Sequence, residues 1–173
     1  AVVVQMDCAA STNGYALYVF RAAEVGGAVK NYATIIDTKS GAQIGADTIL
    51  DTSTKAGLRC FALGTDLWAL WTDSFGHILG SRFATAGTFQ WQAPVSLIGD
   101  QSATATFSAW DAAPDSGGLL FYVAYQDNQA TNHVHVRKFD TNGSAFVTND
   151  FAVGSGTLPV TAFALKSQSG GSL

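Results

Sequence analysis

One pattern runs through this chain three times and then starts again. An extended stretch, a polar turn ending in glycine and a second extended stretch recur as YATIIDTKSGAQI from Tyr32, LGSRFATAGTFQW from Leu79 and VHVRKFDTNGSAF from Val134. Glycine is the residue that reaches φ > 0 without steric cost, so a polar run ending in glycine between alternating stretches reads as a hairpin. The turn glycines Gly41, Gly87 and Gly143 lie 46 and 56 residues apart. Ahead of each hairpin sits another strand pair: Val2–Met6 with Tyr15–Phe20, Leu58–Ala62 with Leu67–Thr72, and Ala105–Trp110 with Leu119–Tyr125. The first member of that pair returns once more at Val160–Leu165. Taking Met6, Phe61, Phe107 and Phe163 as anchors gives spacings of 55, 46 and 56 residues. Two sets of markers thus agree on a period of about 50, within the range of repeat architectures.

Each unit is a run of four strands: residues 1–56, 57–103 and 104–158, with 159–173 opening a fourth unit. No stretch keeps the i, i+3, i+4, i+7 apolar spacing of an amphipathic helix. The expectation is an all-β chain, a single repeat region over 1–173, made of three four-stranded antiparallel blades plus the first strand of another. Four strands per repeat of this length are the signature of a β-propeller, with a sandwich or an irregular solenoid as the alternatives. Propellers close with about four to eight blades. Three blades alone leave faces uncovered, here expected to carry Met6, Tyr15, Leu17 and Phe163 or their neighbours. The arc is therefore expected to be completed by further blades of the same polypeptide or by another copy. Ending on a first strand and a Ser/Gly tail favours a fragment of a larger propeller.

Composition narrows the partners. Apolar residues make up 47% of the chain, which is enough to build a core and excludes intrinsic disorder. Charged residues are only 13%, and the nine Lys and Arg are scattered in a chain of net charge −4. A surface that tracks phosphates needs clustered cations, so nucleic acid is excluded as a partner. The longest apolar runs are too short for a spanning helix and no basic amphipathic helix occurs, so membrane insertion is not expected. Cys8 and Cys60 lack zinc-site spacing. They read as two small buried residues, with pairing left open by the sequence.

The segment from Val134 to Phe146 resembles the strand–acid–turn–aromatic run of kelch repeats. That family expects a Gly-Gly pair closing the second strand, whereas the pairs of this chain (Gly26-Gly27, Gly117-Gly118, Gly170-Gly171) fall elsewhere, mostly in the loop before a second strand. Gly76-His77 and Trp110-Asp111 are similar to the dipeptides of WD repeats but occur once each, and Thr141 stands where a sialidase Asp box needs an acid. Each of these resemblances, like that to lectin-type propellers, implies fold and assigns no functional residue.

Each chemistry-bearing residue has a structural role beside its functional one. Propeller glycosidases resemble one another in placing two or three carboxylates on their innermost strands; here those strands offer only Asp7 and, at a strand end, Asp111, and Glu24 is the single Glu. Asp73 and Asp127 recur just after second strands, where an acid caps a turn by accepting backbone N–H groups. His133 and His135 share a strand face but have no third ligand, and with His77 they read as solvated residues, His133 and His135 on an edge or outer strand. No metal and no cofactor are expected. Most aromatics sit on second strands and read as packing between blades. Trp91 and Trp110 lie near strand ends and are the candidate ligand-binding residues. The resulting expectation is a non-catalytic binding or structural module of an extracellular or virion surface, with a glycan or a protein as partner. A fragment of a propeller glycoside hydrolase lacking its catalytic blades is the alternative.

Overall fold

A computed structural model describes residues 2–52, 57–85, 89–99, 109–126, 133–155 and 164–166. Among these residues there is no helix. Thirteen strands form three antiparallel meanders that follow one another along the chain. The first sheet comprises β1 (Val2–Ala10), β2 (Tyr15–Ala23), β3 (Val29–Asp37) and β4 (Gln43–Asp51), in that spatial order. The second comprises β5 (Leu58–Leu63), β6 (Asp66–Thr72), β7 (Ile78–Ala84), β8 (Gln90–Trp91) and β9 (Val95–Ile98), with β8 and β9 both paired to β7. The third comprises β10 (Ala109–Pro114), β11 (Leu120–Gln126), β12 (His133–Asp140) and β13 (Ala145–Ser155). The break between β8 and β9 contains Pro94, whose missing N–H cannot continue a ladder. The first strand of the third unit differs from expectation. Residues 101–108 lie outside the described ones, and β10 runs on to Pro114 rather than ending at Trp110.

Four of the hairpins share one device. Oδ1 of Asp37 accepts the N–H groups of Lys39 and Ser40. Asp73 does the same for Phe75 and His77, Asp115 for Leu119 and Leu120, and Asp140 for Asn142 and Ser144. These backbone bonds hold the Asp37 carboxyl below its usual range. Gly41 and Gly143 then close their turns at φ 72° and 79°, as their hairpin roles require. Gly87 and Asp127 lie outside the described residues. The structural role expected of Asp73 is the one observed.

The second sheet is sandwiched between the other two. On one face Leu58, Cys60, Leu67, Ala69, Trp71 and Phe83 pack against Leu17, Val19, Ala33 and Ile35 of the first sheet. On the other, Phe61, Leu63, Trp68, Leu70 and Ile78 pack against Phe121, Val123, Tyr125 and Phe139 of the third. Alternation along each strand makes this possible, since neighbouring side chains leave on opposite faces. Trp68 and Trp71 are each 1% exposed, so the packing role expected of these second-strand aromatics holds. The outward face of the first sheet has no such cover among the described residues: Val3, Met6, Tyr18 and Ile49 are all exposed there. Met6 was expected on such a face. Leu17 was too, and instead points inward with no exposure, while Tyr15 packs beside it. The odd positions of β2 face the second sheet, and a one-residue step in register decides which set is open. Phe163 lies outside the described residues.

Candidate binding site

Asp7 and Asp111, on the first strands of their sheets, stand at sheet junctions. Asp7 on β1 accepts the N–H of Cys8 through Oδ1 and that of Cys60, on the next sheet, through Oδ2, both at 2.9 Å. Asp111 on β10 accepts the Arg59 guanidinium at 2.7 Å through Oδ1, which also takes the Ala112 N–H at 3.0 Å. Its Oδ2 takes the Leu165 N–H at 2.7 Å. Glu24 accepts the Tyr32 hydroxyl and the Lys30 ammonium, and these two bonds, the hydroxyl's first, hold its carboxyl below the usual range.

The histidines and cysteines fall differently from expectation. β12 lies between β11 and β13 and is no edge strand, because residues 145–155 supply a full fourth strand. His135 stacks on its cross-strand partner Tyr125 with centroids 5.1 Å apart. His77 pairs with Asp73 at 3.2 Å, within its own turn. No group of three or more His, Cys, Asp or Glu among the described residues is placed to hold a metal ion. Cys60 is buried, as expected, and donates towards the Leu17 carbonyl at 3.8 Å. Cys8 is exposed, since even-numbered residues of β1 face outward, and neither thiol is in a disulfide.

The two candidate tryptophans separate. Trp110 is 6% exposed, sits in the core between the second and third sheets and donates its indole N–H to Thr72 Oγ1 at 2.8 Å. Trp91 is half-buried on β8, edge-on to Phe83 with centroids 5.2 Å apart. Phe83 in turn meets Phe89, and Phe89 lies edge-on to Tyr15 of the first sheet at 5.0 Å. An aromatic rim thus spans the junction of the first two sheets. Phe89 is 39% exposed and adopts φ 48°. A bulky residue in that region is strained by about 1–3 kcal/mol, and such strain concentrates at sites of function. The sequence singles out Trp91, reads Tyr15 on its second strand as packing and gives Phe89 no role; only the stacking of two sheets brings the three together. Polar groups border the rim: Asn13 Nδ2 donates to Thr85 Oγ1 at 2.6 Å, and Ser11 donates to Asn13 Oδ1 at 2.5 Å.

No model of a known protein family and no curated protein sequence matches this chain.

Proposed function

We propose that the chain is a non-catalytic binding or assembly module, an arc of β-propeller blades on an extracellular or virion surface, with carbohydrate as the ligand class. The observation that carries the reading is the aromatic rim of Tyr15, Phe89 and Trp91 at the junction of two sheets, bordered by Asn13 and Thr85. Aromatic rings offer apolar surface to the C–H groups of a sugar, while small polar side chains take its hydroxyls. Support for a propeller comes from the serial stacking of three antiparallel meanders, of four, five and four strands, with first strands bonded to one another at successive junctions. Support for a non-catalytic role comes from the inner-strand carboxylates. Asp7 and Asp111 accept backbone N–H groups, which suits a structural acceptor better than a proton donor.

A glycan array read with the protein and with Trp91→Ala tests the reading. Binding to a defined set of glycans that the substitution weakens is the expected result. Turnover of a glycoside that disappears in Asp7→Asn or Asp111→Asn would overturn it in favour of a hydrolase.

A further inference from the structure

A second groove lies on the opposite side of the β7–β8 ladder from Trp91. Arg82 is the cross-strand partner of Trp68 and both face the third sheet. Gln92, one residue after Trp91, donates its backbone N–H to the Arg82 carbonyl at 2.8 Å and so follows the opposite alternation to Trp91. With Val95 and the turn residue Asn142 of the third sheet, these residues line a groove of about 220 Å³. From the deepening of the binding reading above, on which the inference rests, we infer that this groove is a subsite for one neutral, polyhydroxylated ring.

Its floor is apolar and fixed. Trp68 is held between two glycines: a Cβ on Gly80 would come within 3.1 Å of its Cζ3, and one on Gly143 within 3.1 Å of its Cη2. That crowding leaves the indole in one position. Its walls carry hydrogen-bonding groups of both senses. The Arg82 guanidinium donates to Asn142 Oδ1 at 3.2 Å and to the Thr141 carbonyl at 3.3 Å, which orients the Asn142 amide. The Asn142 Nδ2 and the whole Gln92 side-chain amide have no bond to another described residue, and Trp68 Nε1 is buried without a partner among them. A primary amide both donates and accepts, and a planar guanidinium presents parallel N–H groups that suit vicinal hydroxyls.

Charge selects the neutral class. Asp66 Oδ2 lies 3.6 Å from Arg82, so the cation is already countered and offers an incoming carboxylate no unpaired charge. A volume of this size takes a single ring rather than a chain.

The test is a titration of the full chain with neutral hexoses and N-acetylhexosamines, and with an acidic sugar, followed by amide chemical shifts. A neutral sugar is expected to shift the amides of Gln92 and Asn142 with a millimolar Kd. Gln92→Ala and Asn142→Ala should each weaken it by about three- to tenfold, the loss of one or two hydrogen bonds. Gln92→Ala is the cleaner variant because its side chain ties nothing to the fold among the described residues, and unchanged thermal unfolding would show that folding is intact. Sugar binding that both variants leave unaltered, or that only Trp91→Ala weakens, overturns the groove while the binding reading stands. Preference for the acidic sugar overturns the neutral class. No response to any sugar overturns both.

Discussion

The carboxylate of Asp7 leaves its own sheet to accept the backbone N–H of Cys60 at 2.9 Å, tying the first strand of one unit to the first strand of the next. Asp111 performs the same service for Leu165 at 2.7 Å while also holding Arg59 of the preceding sheet. An acid so used is a joint between repeats. Asp111→Ala removes an acceptor from three donors, one of them charged, and is expected to destabilise the fold by about 1–3 kcal/mol. Asp7→Ala should cost less, because β1 is more exposed. Urea unfolding of both variants checks the order, and a smaller effect at Asp111 than at Asp7 would contradict it.

The repeat was legible in the sequence because it is written in residues whose backbone roles are narrow. Gly41 and Gly143 sit where φ must be positive, and Asp73 sits where a carboxylate must bond two amides. Four-strand units follow from those markers alone. What was not legible is which face of each strand meets a neighbour. Leu17 and Tyr18 are equally apolar as letters, yet one has no exposure and the other 38%. Likewise Trp110 read as the end of a first strand, because Pro114 and three alanines disguise the run of β10 beyond it, whereas its indole is buried in the core across the junction. The aromatic rim was half legible: Trp91 stood out by its place near a strand end, whereas Tyr15 and Phe89 come together only through the stacking of two sheets.

The crowding behind Trp110 gives a second expectation. Gly57 has φ 125°, and a Cβ there would lie 2.5 Å from both Thr72 Oγ1 and Trp110 Nε1. Gly57→Ala must therefore break the Trp110–Thr72 hydrogen bond as well as strain the backbone. A loss of about 2–4 kcal/mol is expected. Gly26→Ala is the control, since its added Cβ meets nothing within 4 Å although its φ is also positive, at 108°. It should cost only about 1 kcal/mol. Equal effects of the two substitutions in denaturant unfolding would show that the contact at Gly57 does not matter.

The thiols should separate in reactivity. Burial pushes the Cys60 thiol well above its usual pKa, with the Asp7 charge adding to the effect, whereas Cys8 faces solvent. A thiolate-specific reagent at mildly alkaline pH is expected to label Cys8 quickly and Cys60 at the rate of unfolding. The linkage has a definite sign. A thiol whose folded pKa is raised contributes stability that is intact below the unfolded value and falls away as pH rises above it. Cys60→Ala should flatten that alkaline decline, and rapid labelling of two thiols in the native protein would refute the assignment.

The outward face of the first sheet carries the expectation with most bearing on assembly. Met6, Phe20, Tyr32 and Ile49 form one cross-strand row, with Tyr18 and Cys8 in the next row along the sheet. Phe20 and Tyr32 stack at 5.2 Å, but Met6 and Ile49 remain 65% and 53% exposed. The second and third sheets both bury the corresponding face against the sheet before them. Burial of each such side chain is worth about 1.5–3 kcal/mol, so a contiguous row left in water favours association. The 173-residue chain is therefore expected to self-associate in concentrated solution, through a contact of more than about 1,000 Å² that includes Met6 and Ile49. Met6→Lys together with Ile49→Lys should return it to a monomer without unfolding it, because neither side chain contributes to the cores between sheets. Light scattering of the two proteins, beside their circular dichroism, reads both outcomes. A wild-type chain that stays monomeric at high concentration and unfolds cooperatively would show that the face tolerates water, and would remove the main argument for an arc that needs completing.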